Sequence, residues 1–399
     1  MALLLTSGCG GGGGGREEEQ AEEEQASEDA LLSQDALNAA LEQSFSESGA
    51  PGVIAAVQTP EDTWVGTLGV ADLSSEEPML ADMHQRIGSV NKTFTVSLLL
   101  QAEADGLLSL DDTIEQYVEG VPNGDEITLR QMANMTSGIA SYTFNEQWQD
   151  ALFSDPRRIW RPEELVQYGI ADSPAFDPGT DFQYSNTNTV LLGLVLEQVS
   201  GEPIGDLYRE GIIEPLGLRE TSFPNADPAF PDPHPQGYTL QGQDDGEPVT
   251  ATDWNPSWGW TAGAMISTVD DLLVYGRALG TGDGLLPPEQ QAERLDSFLS
   301  DDLPPNSADR AYGLGLGREY GWLGHTGELP GFNTAVYYHP ELDATVVVEV
   351  NSDIPSGDCP PDRPTMTNSP HENIPCEDPA VRIFAGLAEA LGQPFGPEQ

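Results

Sequence analysis

Basic residues, and lysine above all, are scarce in this sequence. Its 399 residues include 67 Asp or Glu but only 15 Lys or Arg, which gives a formal net charge of −52 at pH 7. A surface of that sign repels phosphate backbones, so the composition argues against nucleic-acid binding. An acidic ligand-binding face is compatible with this charge. A solvated, salt-adapted coat is the simpler interpretation, because high ionic strength screens self-repulsion.

Long apolar runs and cysteines are also scarce. No apolar run is long enough to span a membrane, and the chain contains three cysteines. Two of them, Cys359 and Cys376, bracket a Pro-rich polar stretch and could close it as a disulfide. That bond would indicate an oxidising compartment, whereas two free thiols are the alternative.

The third cysteine, Cys9, ends the motif Leu5-Thr6-Ser7-Gly8-Cys9, which a glycine run follows. The motif resembles a bacterial lipoprotein processing site, in which Cys9 would take the lipid, with Thr6 in place of the usual Leu. Without that resemblance the segment is a Gly-rich head. Residues 1–32 as a whole cannot bury enough apolar surface to fold, so we expect a leader and an acidic tether. The resemblance implies an extracellular or cell-envelope protein with membrane attachment through Cys9.

The histidines do not form a metal-binding pattern. None of His84, His234, His339 and His371 has ligand spacing with a second His or with a Cys. A Gly-rich phosphate-binding loop is also missing from the sequence. We therefore expect neither a metal nor another cofactor.

Strand patterns lie near both ends of the chain, and helical patterns fill the middle. Residues 107–310 are mostly helical in pattern and are broken by Pro and Gly. This arrangement predicts an α+β domain over residues 33–395, with an antiparallel sheet built from N- and C-terminal segments, terminal helices beside it, a helical insertion, and a Cys-bracketed loop at 354–377. The predicted strands are Gly52–Gln58, Thr63–Val70, Trp322–Glu328, Asn333–Tyr338 and Ala344–Val350, and the predicted terminal helices are Ser33–Glu47 and Asp378–Leu391.

The only lysine in the chain is Lys92, and every other basic residue is an arginine. It ends the motif Ser89-Val90-Asn91-Lys92 at the predicted start of a helix, where this spacing puts the two functional side chains on one face. Arginine is effectively never deprotonated, whereas burial can turn a lysine into a base. The motif therefore predicts a nucleophile, Ser89, whose proton Lys92 removes, with the helix N-terminus favouring the developing negative charge.

A second motif, Tyr184-Ser185-Asn186, precedes a predicted helix. A phenol beside a lysine can be held partly ionised and can pass a proton to a leaving group. The Asn186 amide can bind a substrate amide. Alone, the motif is equally compatible with a loop tyrosine and an Asn helix cap.

A third motif, His325-Thr326-Gly327, lies on a predicted strand. The glycine lets a substrate backbone approach the strand edge, and the His and Thr side chains can hold a carboxylate or transfer protons. Alone, a single strand histidine is more often structural than catalytic.

Together the three motifs, in this order, resemble the penicillin-recognising serine hydrolases over about residues 34–352. The Y-x-N motif is the class C form, and H-T-G is similar to that of secreted D-alanyl-D-alanine carboxypeptidases and related esterases. The resemblance implies the β-lactamase/DD-peptidase fold and an acyl-enzyme on Ser89, with Lys92 and Tyr184 managing its proton. It implies an oxyanion hole from the backbone N–H groups of Ser89 and Glu328. Substrate contacts are implied for Asn186, His325, Thr326 and Gly327.

The function expected first is that of a D-alanyl-D-alanine carboxypeptidase-like hydrolase. One departure weakens it: Glu328 stands where the family usually has a small or neutral residue, and its charge would disfavour an anionic substrate. Only His325 and Arg318 are candidates for the cation that such substrates require. The alternatives are an esterase, a true class C β-lactamase, and a non-catalytic protein that binds penicillin or cell-wall peptides. The expected substrate is therefore a small peptide, an ester or a β-lactam.

Overall fold

The computed structural model describes residues 33–171, 173–243, 246–366, 370 and 373–396. The leader and tether expected at 1–32, including Cys9, lie outside the described residues, as does His371. Within the described part of the chain, no helix combines the length and the apolar character needed to cross a membrane.

The centre of the molecule is an eight-stranded antiparallel sheet. Two short strand pairs lie outside this sheet. The strands of the sheet and of the two pairs are, in chain order, β1 (Gly52–Gln58), β2 (Thr63–Asp72), β3 (Glu77–Pro78), β4 (Gln85–Arg86), β5 (Tyr238–Thr239), β6 (Val249–Thr250), β7 (Ile266–Ser267), β8 (Arg310–Tyr312), β9 (Gly317–Glu319), β10 (Trp322–Leu329), β11 (Phe332–His339) and β12 (Ala344–Val350). The order in the main sheet is β3-β2-β1-β12-β11-β10-β9-β8, and the short pairs are β4–β7 and β5–β6. The N- and C-terminal segments therefore meet where β1 pairs with β12, as the sequence predicted.

Helices cover both faces of the sheet. They are α1 (Gln34–Ser48), α2 (Asn91–Ala104), α3 (Leu129–Ala133), α4 (Glu146–Ser154), α5 (Pro162–Ile170), α6 (Asn186–Ser200), α7 (Ile204–Tyr208), α8 (Glu214–Leu216), α9 (Val269–Thr281), α10 (Pro288–Asp296) and α11 (Pro379–Ala390). The terminal helices α1 and α11 pack on one face, where Leu37 and Phe384 join a core with Val53 and Val348. The helices between α1 and α11 form a second core over the other face.

Alternation of side chains along the strands decides which residues face the active-site region. On β12, Val348 belongs to the core under the terminal helices, whereas its neighbour Val347 belongs to the core under the helical region. On β10 the same alternation places Leu323, and with it His325 and Gly327, on the side of the helical region. The α+β architecture expected from the sequence is confirmed, and the helical insertion covers the face that carries His325.

Two features were not visible in the sequence patterns. The edge strands β8 and β9 contain only three residues each, too few for a readable alternation. Ser89 does not lie in the helix that it was expected to begin. It lies in a 3-10 turn over Gly88–Val90, and α2 starts at Asn91.

Candidate active site

The turn that carries Ser89 is held against the end of β10. Ile87 N–H donates to the Met265 carbonyl oxygen at 3.0 Å, which anchors the chain just before the turn. Gly88 has φ 51°, and a Cβ atom there would lie 2.5 Å from the backbone nitrogen of Glu328. Only glycine meets both requirements, so the sequence Gly88-Ser89 fixes the serine beside the strand.

Lys92 reaches Ser89 from the first turn of α2. Its Nζ atom lies 2.8 Å from Ser89 Oγ and 2.8 Å from the carbonyl oxygen of Ala262. The side chain is fully buried, and this burial lowers the pKa of the Lys92 amine well below its usual value. A neutral amine can donate to the Ala262 carbonyl and still accept the hydroxyl proton of Ser89. The geometry is therefore that of a nucleophile with its base.

Tyr184 lies on the other side of the lysine. The centre of its ring is 5.0 Å from Lys92 Nζ, and its hydroxyl is buried beside that of Ser89. Burial raises the pKa of the Tyr184 phenol, and the neighbouring Ser89 hydroxyl only partly opposes that rise. The phenol is therefore protonated at rest. The sequence had instead suggested a partly ionised phenol. A protonated phenol beside the nucleophile suits a proton donor to a leaving group.

His325 is part of a hydrogen-bonded chain on β10. Its Nδ1 lies 2.5 Å from the carbonyl oxygen of Thr326, and its Nε2 lies 3.1 Å from the hydroxyl of Tyr312. A carbonyl can only accept, so Nδ1 carries the proton and the Tyr312 O–H donates to Nε2. Burial, together with the charge that Lys92 would carry when protonated, lowers the pKa of His325 to about 4. The imidazole is therefore neutral at pH 7 and does not supply the expected cation for a substrate carboxylate.

The two expected oxyanion-hole donors lie on facing segments. A Cβ atom on Gly327 would collide with the Ile87 carbonyl and would lie 3.2 Å from the backbone nitrogen of Ser89. Seen from the turn, a Cβ atom on Gly88 would lie 2.5 Å from the backbone nitrogen of Glu328, so the turn and the strand are in close contact there as well. The backbone nitrogens of Ser89 and Glu328 therefore lie at one junction of turn and strand, an arrangement suited to binding an oxyanion.

Asn186 is the first residue of α6 and is tied to a neighbouring turn. Its Nδ2 donates to Thr143 Oγ1 at 3.1 Å, and its backbone N–H donates to Ser141 Oγ at 3.1 Å. These contacts fix the start of α6, and with it the preceding Tyr184. The amide nitrogen of Asn186 is thus already engaged within the protein.

A cavity of about 300 Å³ opens beside Tyr184 and His325. Thr326 lines it, as does the ion pair between Arg310 and Glu319. The remaining lining residues are Phe182, Pro305, Asn306, Ala311, Tyr312, Gly317, Gly324 and Tyr337. The cavity lining thus combines aromatic residues with one charged pair.

Tyr312 is a site residue that the motif analysis missed. It hydrogen-bonds His325, and its ring lies 6.0 Å from that of Tyr184. The glycine-dense run Tyr312-Gly313-Leu314-Gly315 was a possible signal, because Gly315 has φ 62° and a Cβ there would meet Val96 at 2.6 Å. Close packing of this run against α2 places Tyr312 in the site.

The end of β10 beyond the nucleophile is acidic. Gln241 Nε2 lies 3.4 Å from Glu328 Oε1 and 2.7 Å from Asp353 Oδ2, so it bridges the two carboxyl groups. Desolvation of the Glu328 carboxyl and the negative charges of Asp378 and Asp353 raise its pKa, while much of the side chain stays exposed to solvent. Burial raises the pKa of Asp353 to about 6, against hydrogen bonds from Gly331 and Gln241. We call Glu328, Asp353 and Asp378 the acidic cluster.

Arg318, the other candidate for binding a carboxylate, does not line the cavity. Its guanidinium lies 4.7 Å from the centre of the Phe298 ring. Cys359 and Cys376 form a disulfide, and Arg363 in the loop that it closes pairs with Asp378. No group of three or more His, Cys, Asp or Glu in the described ranges is arranged to hold a metal ion.

A second cavity, of about 580 Å³, is lined by Trp254 and His234 and by none of the catalytic candidates. Its remaining lining residues are Ser154, Asp155, Pro156, Arg157, Gln236, Thr250, Thr252 and Asp253. We place the chemistry at the smaller cavity, because Tyr184 and His325 line that one.

Comparison with solved structures shows similarity to amidases. A D-stereospecific amidohydrolase from Streptomyces sp. is 33% identical, with a TM-score of 0.73 over 79% of this chain and 94% of that chain. A D-amino acid amidase from Ochrobactrum anthropi SV3 is 25% identical, with a TM-score of 0.73 over 89% of this chain and 98% of that chain.

Comparison with curated sequences shows similarity to two further proteins. Protein flp of Staphylococcus aureus (strain MW2) is 25% identical over 291 residues, which are 71% of this chain and 56% of the relative. Penicillin-binding protein 4* of Bacillus subtilis (strain 168) is 26% identical over 178 residues, which are 44% of this chain and 38% of the relative. The chain thus spans about half the length, or less, of these relatives. The beta-lactamase family model matches residues 37–367. By this match and by its fold, the chain belongs to the beta-lactamase family of serine hydrolases.

Proposed function

We propose that the protein is an amidohydrolase that cleaves D-aminoacyl bonds through an acyl-enzyme on Ser89, and that its substrates carry a free α-ammonium group. The observation that carries this proposal is the electrostatics of the cleft. The acidic cluster, with Glu328 and Asp353, lies at the end of β10 beyond the nucleophile, and His325, the candidate cation on that strand, is neutral. The D configuration is taken from the similarity to the two D-specific amidases.

The acidic cluster suits an ammonium group better than a carboxylate. Asp353, with a pKa of about 6, is mostly ionised at pH 7. The neighbouring Glu328 side chain is exposed, so an ammonium group can reach it and would favour its carboxylate form in an ion pair. A substrate carboxylate at the same position would meet like charge.

The proposed reaction uses the site residues in a fixed order. Neutral Lys92 removes the hydroxyl proton of Ser89, whose Oγ forms a bond to the substrate carbonyl carbon. The backbone N–H groups of Ser89 and Glu328 bind the resulting oxyanion. Tyr184 donates its proton to the nitrogen of the breaking C–N bond and regains one from protonated Lys92. Water then hydrolyses the acyl-enzyme, with the neutral amine again acting as base.

An esterase is the second candidate. An ester oxygen is a better leaving group than an amide nitrogen and needs less help from a proton donor. A small ester needs no cation in the cleft, which agrees with the neutral His325. The D-alanyl-D-alanine carboxypeptidase-like function remains a third candidate, supported by the similarity to penicillin-binding protein 4*. The disulfide supports the further proposal that the protein works outside a reducing cytoplasm.

The proposal is tested by steady-state kinetics on matched substrates. We expect cleavage of D-Phe p-nitroanilide, at least about tenfold slower cleavage of its L enantiomer, and loss of activity when the α-amino group is acetylated. A D-Ala-D-Ala peptide, a short-chain nitrophenyl ester and a chromogenic cephalosporin test the alternatives. Efficient cleavage of the acetylated anilide, or turnover of the D-Ala-D-Ala peptide alone, would contradict the proposal.

The role of Ser89 is tested by a matched pair of serine variants. Ser89→Ala should lower kcat/KM by about 10⁴-fold or more, because the nucleophile, base and proton donor act as a unit. Ser46→Ala makes the same change on α1, where the hydroxyl contacts only the Gln43 carbonyl, and should leave kcat/KM unchanged. Near-normal turnover in Ser89→Ala would contradict an acyl-enzyme mechanism on Ser89. A single stoichiometric burst without turnover would indicate a non-catalytic binding protein.

A further inference from the structure

The peptide group between Gly327 and Glu328 is held from the side of β11. Its carbonyl oxygen, on Gly327, accepts a hydrogen bond from Asn333 Nδ2 at 3.0 Å. A peptide group is planar and trans, so its C=O and its N–H point in opposite directions. The N–H of Glu328 therefore points toward the other edge of β10, which is open there because β9 pairs with β10 only as far as Gly324. Fixing the Gly327 carbonyl thus fixes the direction of the N–H that is assigned to the oxyanion hole.

Asn333 is itself held by the last helix. Its Oδ1 accepts a hydrogen bond from the backbone N–H of Ala380 at 2.8 Å, and the residue is only 2% exposed. A backbone N–H can only donate and a carbonyl can only accept, so the amide group of Asn333 has one possible orientation.

The bond from Ala380 gives Asn333 the role of a helix cap. Ala380 lies in the first turn of α11, where the N–H groups have no acceptor within the helix. The side chain of the N-cap residue, Asp378, does not cap the helix and pairs with Arg363 instead. Asn333, on a neighbouring strand, therefore supplies an acceptor that the start of α11 needs.

The three amide groups form one polarised chain. α11 has 12 residues, and the dipole of a helix places partial positive charge at its N-terminus. The chain runs from the Ala380 N–H through the amide of Asn333 to the Gly327 carbonyl, and it ends at the N–H of Glu328. Each hydrogen bond polarises the next amide and strengthens its bond by perhaps 10–30%. The N–H of Glu328 is therefore both oriented and made a stronger donor.

We propose that Asn333 is a positioning residue of the oxyanion hole, which couples the N-terminus of α11 to the peptide group that stabilises the oxyanion. The inference rests on the proposed function, in which the N–H of Glu328 binds that oxyanion. Asn333 does not touch the substrate and acts through the Gly327–Glu328 peptide group. Because negative charge develops on the substrate oxygen only as the tetrahedral intermediate forms, Asn333 should affect kcat more than KM.

Two substitutions separate this role from simple capping. Asn333→Asp keeps an acceptor for Ala380, and a carboxylate suits a helix N-terminus, but its ionised form has no donor for Gly327. Asn333→Ala removes both contacts and adds no charge. Both variants should lower kcat about tenfold and change KM by less than about twofold, a smaller loss than the 10²–10³-fold cost of removing an oxyanion donor itself. Only Asn333→Ala should also unfold at a lower temperature.

The kinetics are measured on D-Phe p-nitroanilide and on a short-chain nitrophenyl ester, with thermal unfolding of each variant. Inhibition by phenylboronic acid gives a second measurement. Ser89 Oγ bonds to the boron, and an oxygen of the tetrahedral adduct occupies the position of the oxyanion, as in other transition-state analogues. Its Ki should rise about tenfold in both variants, in step with the fall in kcat. Phe384→Ala loosens the packing of the same helix and should change neither kcat nor Ki while it is folded.

Three results would overturn the role of Asn333. They are wild-type kcat and Ki in Asn333→Asp, a fall in kcat confined to Asn333→Asp, which would be an effect of its charge, and an equal loss in folded Phe384→Ala. If Asn333→Ala does not fold, Asn333→Asp, which keeps the cap, decides the question through kcat and Ki together. Cleavage of D-Phe p-nitroanilide that is insensitive to Asn333 removes this inference and leaves the proposed function. Ester cleavage and boronate binding that depend on Asn333, without cleavage of any D-aminoacyl substrate, do the reverse.

Discussion

Both faces of the main sheet carry apolar cores, but they differ in the ionisable side chains that they bury. Under α1 and α11 the core contains Val53, Val348 and Phe384, none of them exposed. Under the helical region, the opposite face carries His325 and Glu349, both buried. Glu349 lies opposite Ile54 and Thr334 on the neighbouring strands, and neither of its carboxyl oxygens has a hydrogen-bond partner.

This difference distinguishes side chains that stabilise the fold from side chains that take part in the proposed reaction. Burial of apolar area stabilises a fold, whereas a buried polar group costs free energy unless it is paired. Burial favours the uncharged forms of Lys92, His325 and Glu349. For Lys92, burial keeps the amine neutral, and the neutral amine is the base that the proposed reaction needs. The apolar cores on both faces offset such costs. Mutations on the two faces should therefore affect different measurements.

Lys92→Arg on the polar face should have the largest effect. An arginine keeps the positive charge but cannot be deprotonated at ordinary pH, so kcat/KM should fall by about 10⁴-fold at every pH, like other losses of a catalytic unit. In the wild type, kcat/KM should rise with pH through the depressed pKa of Lys92, because only the neutral amine removes the Ser89 proton. The raised pKa of Tyr184 should keep its proton in place on the alkaline side.

The measurement is a profile of kcat/KM on D-Phe p-nitroanilide from pH 5 to pH 10, with thermal unfolding to show that the variant folds. A Lys92→Arg protein that retained substantial turnover, or a wild-type profile that did not rise with pH on its acid side, would rule out the base role of Lys92.

Phe384→Ala on the apolar face should change stability and not chemistry. The Phe384 ring packs against Trp322, Tyr337 and Phe395, with ring centres 5.1, 4.9 and 4.8 Å away. Its removal should lower the free energy of unfolding by about 3–5 kcal/mol, the usual cost of a Phe→Ala cavity. Denaturant unfolding measures this change, and Phe384→Leu should cost less. A large fall in kcat/KM at a temperature where the variant is folded would show that the two faces are coupled.

Glu349→Gln should give a smaller effect that depends on pH. Burial raises the pKa of Glu349 well above 4.5, so above pH 4.5 the unfolded chain releases a proton that the folded protein keeps. The titration of Glu349 therefore lowers the free energy of unfolding of the wild type by about 1.4 kcal/mol per pH unit. This loss extends from pH 4.5 up to the pKa of Glu349 in the folded protein.

Glutamine has the same shape and no such proton, so Glu349→Gln should be the more stable protein at neutral pH. The difference should vanish below pH 4.5. Unfolding curves between pH 4 and pH 8 measure it, with Glu47→Gln, on the surface of α1, as a matched control. Parallel pH dependences in wild type and Glu349→Gln would show that Glu349 does not titrate as the buried carboxyl described here.

The sequence predicted the central strands of the main sheet correctly. The β-branched run Ala344–Val350 and the run Gly52–Gln58 are strands with the predicted bounds, because runs that are buried in a sheet centre leave a strong apolar signal. It could not predict β8 and β9, which are short and owe their existence to pairing at the sheet edge. The cavity between these edge strands and Tyr184 was therefore invisible from the sequence.

The candidate site divides in the same way. Local spacing alone brought Ser89 and Lys92 together, since three residues across a helix start put both side chains on one face. The single lysine in an arginine-rich set of basic residues pointed to its chemistry. Only the tertiary structure decided that Lys92 and His325 are uncharged, that Tyr312 hydrogen-bonds His325, and that Tyr184 and His325 line one cavity. Charge state and long-range contact depend on burial and on which distant segments pack together, and neither is encoded in the spacing of a motif.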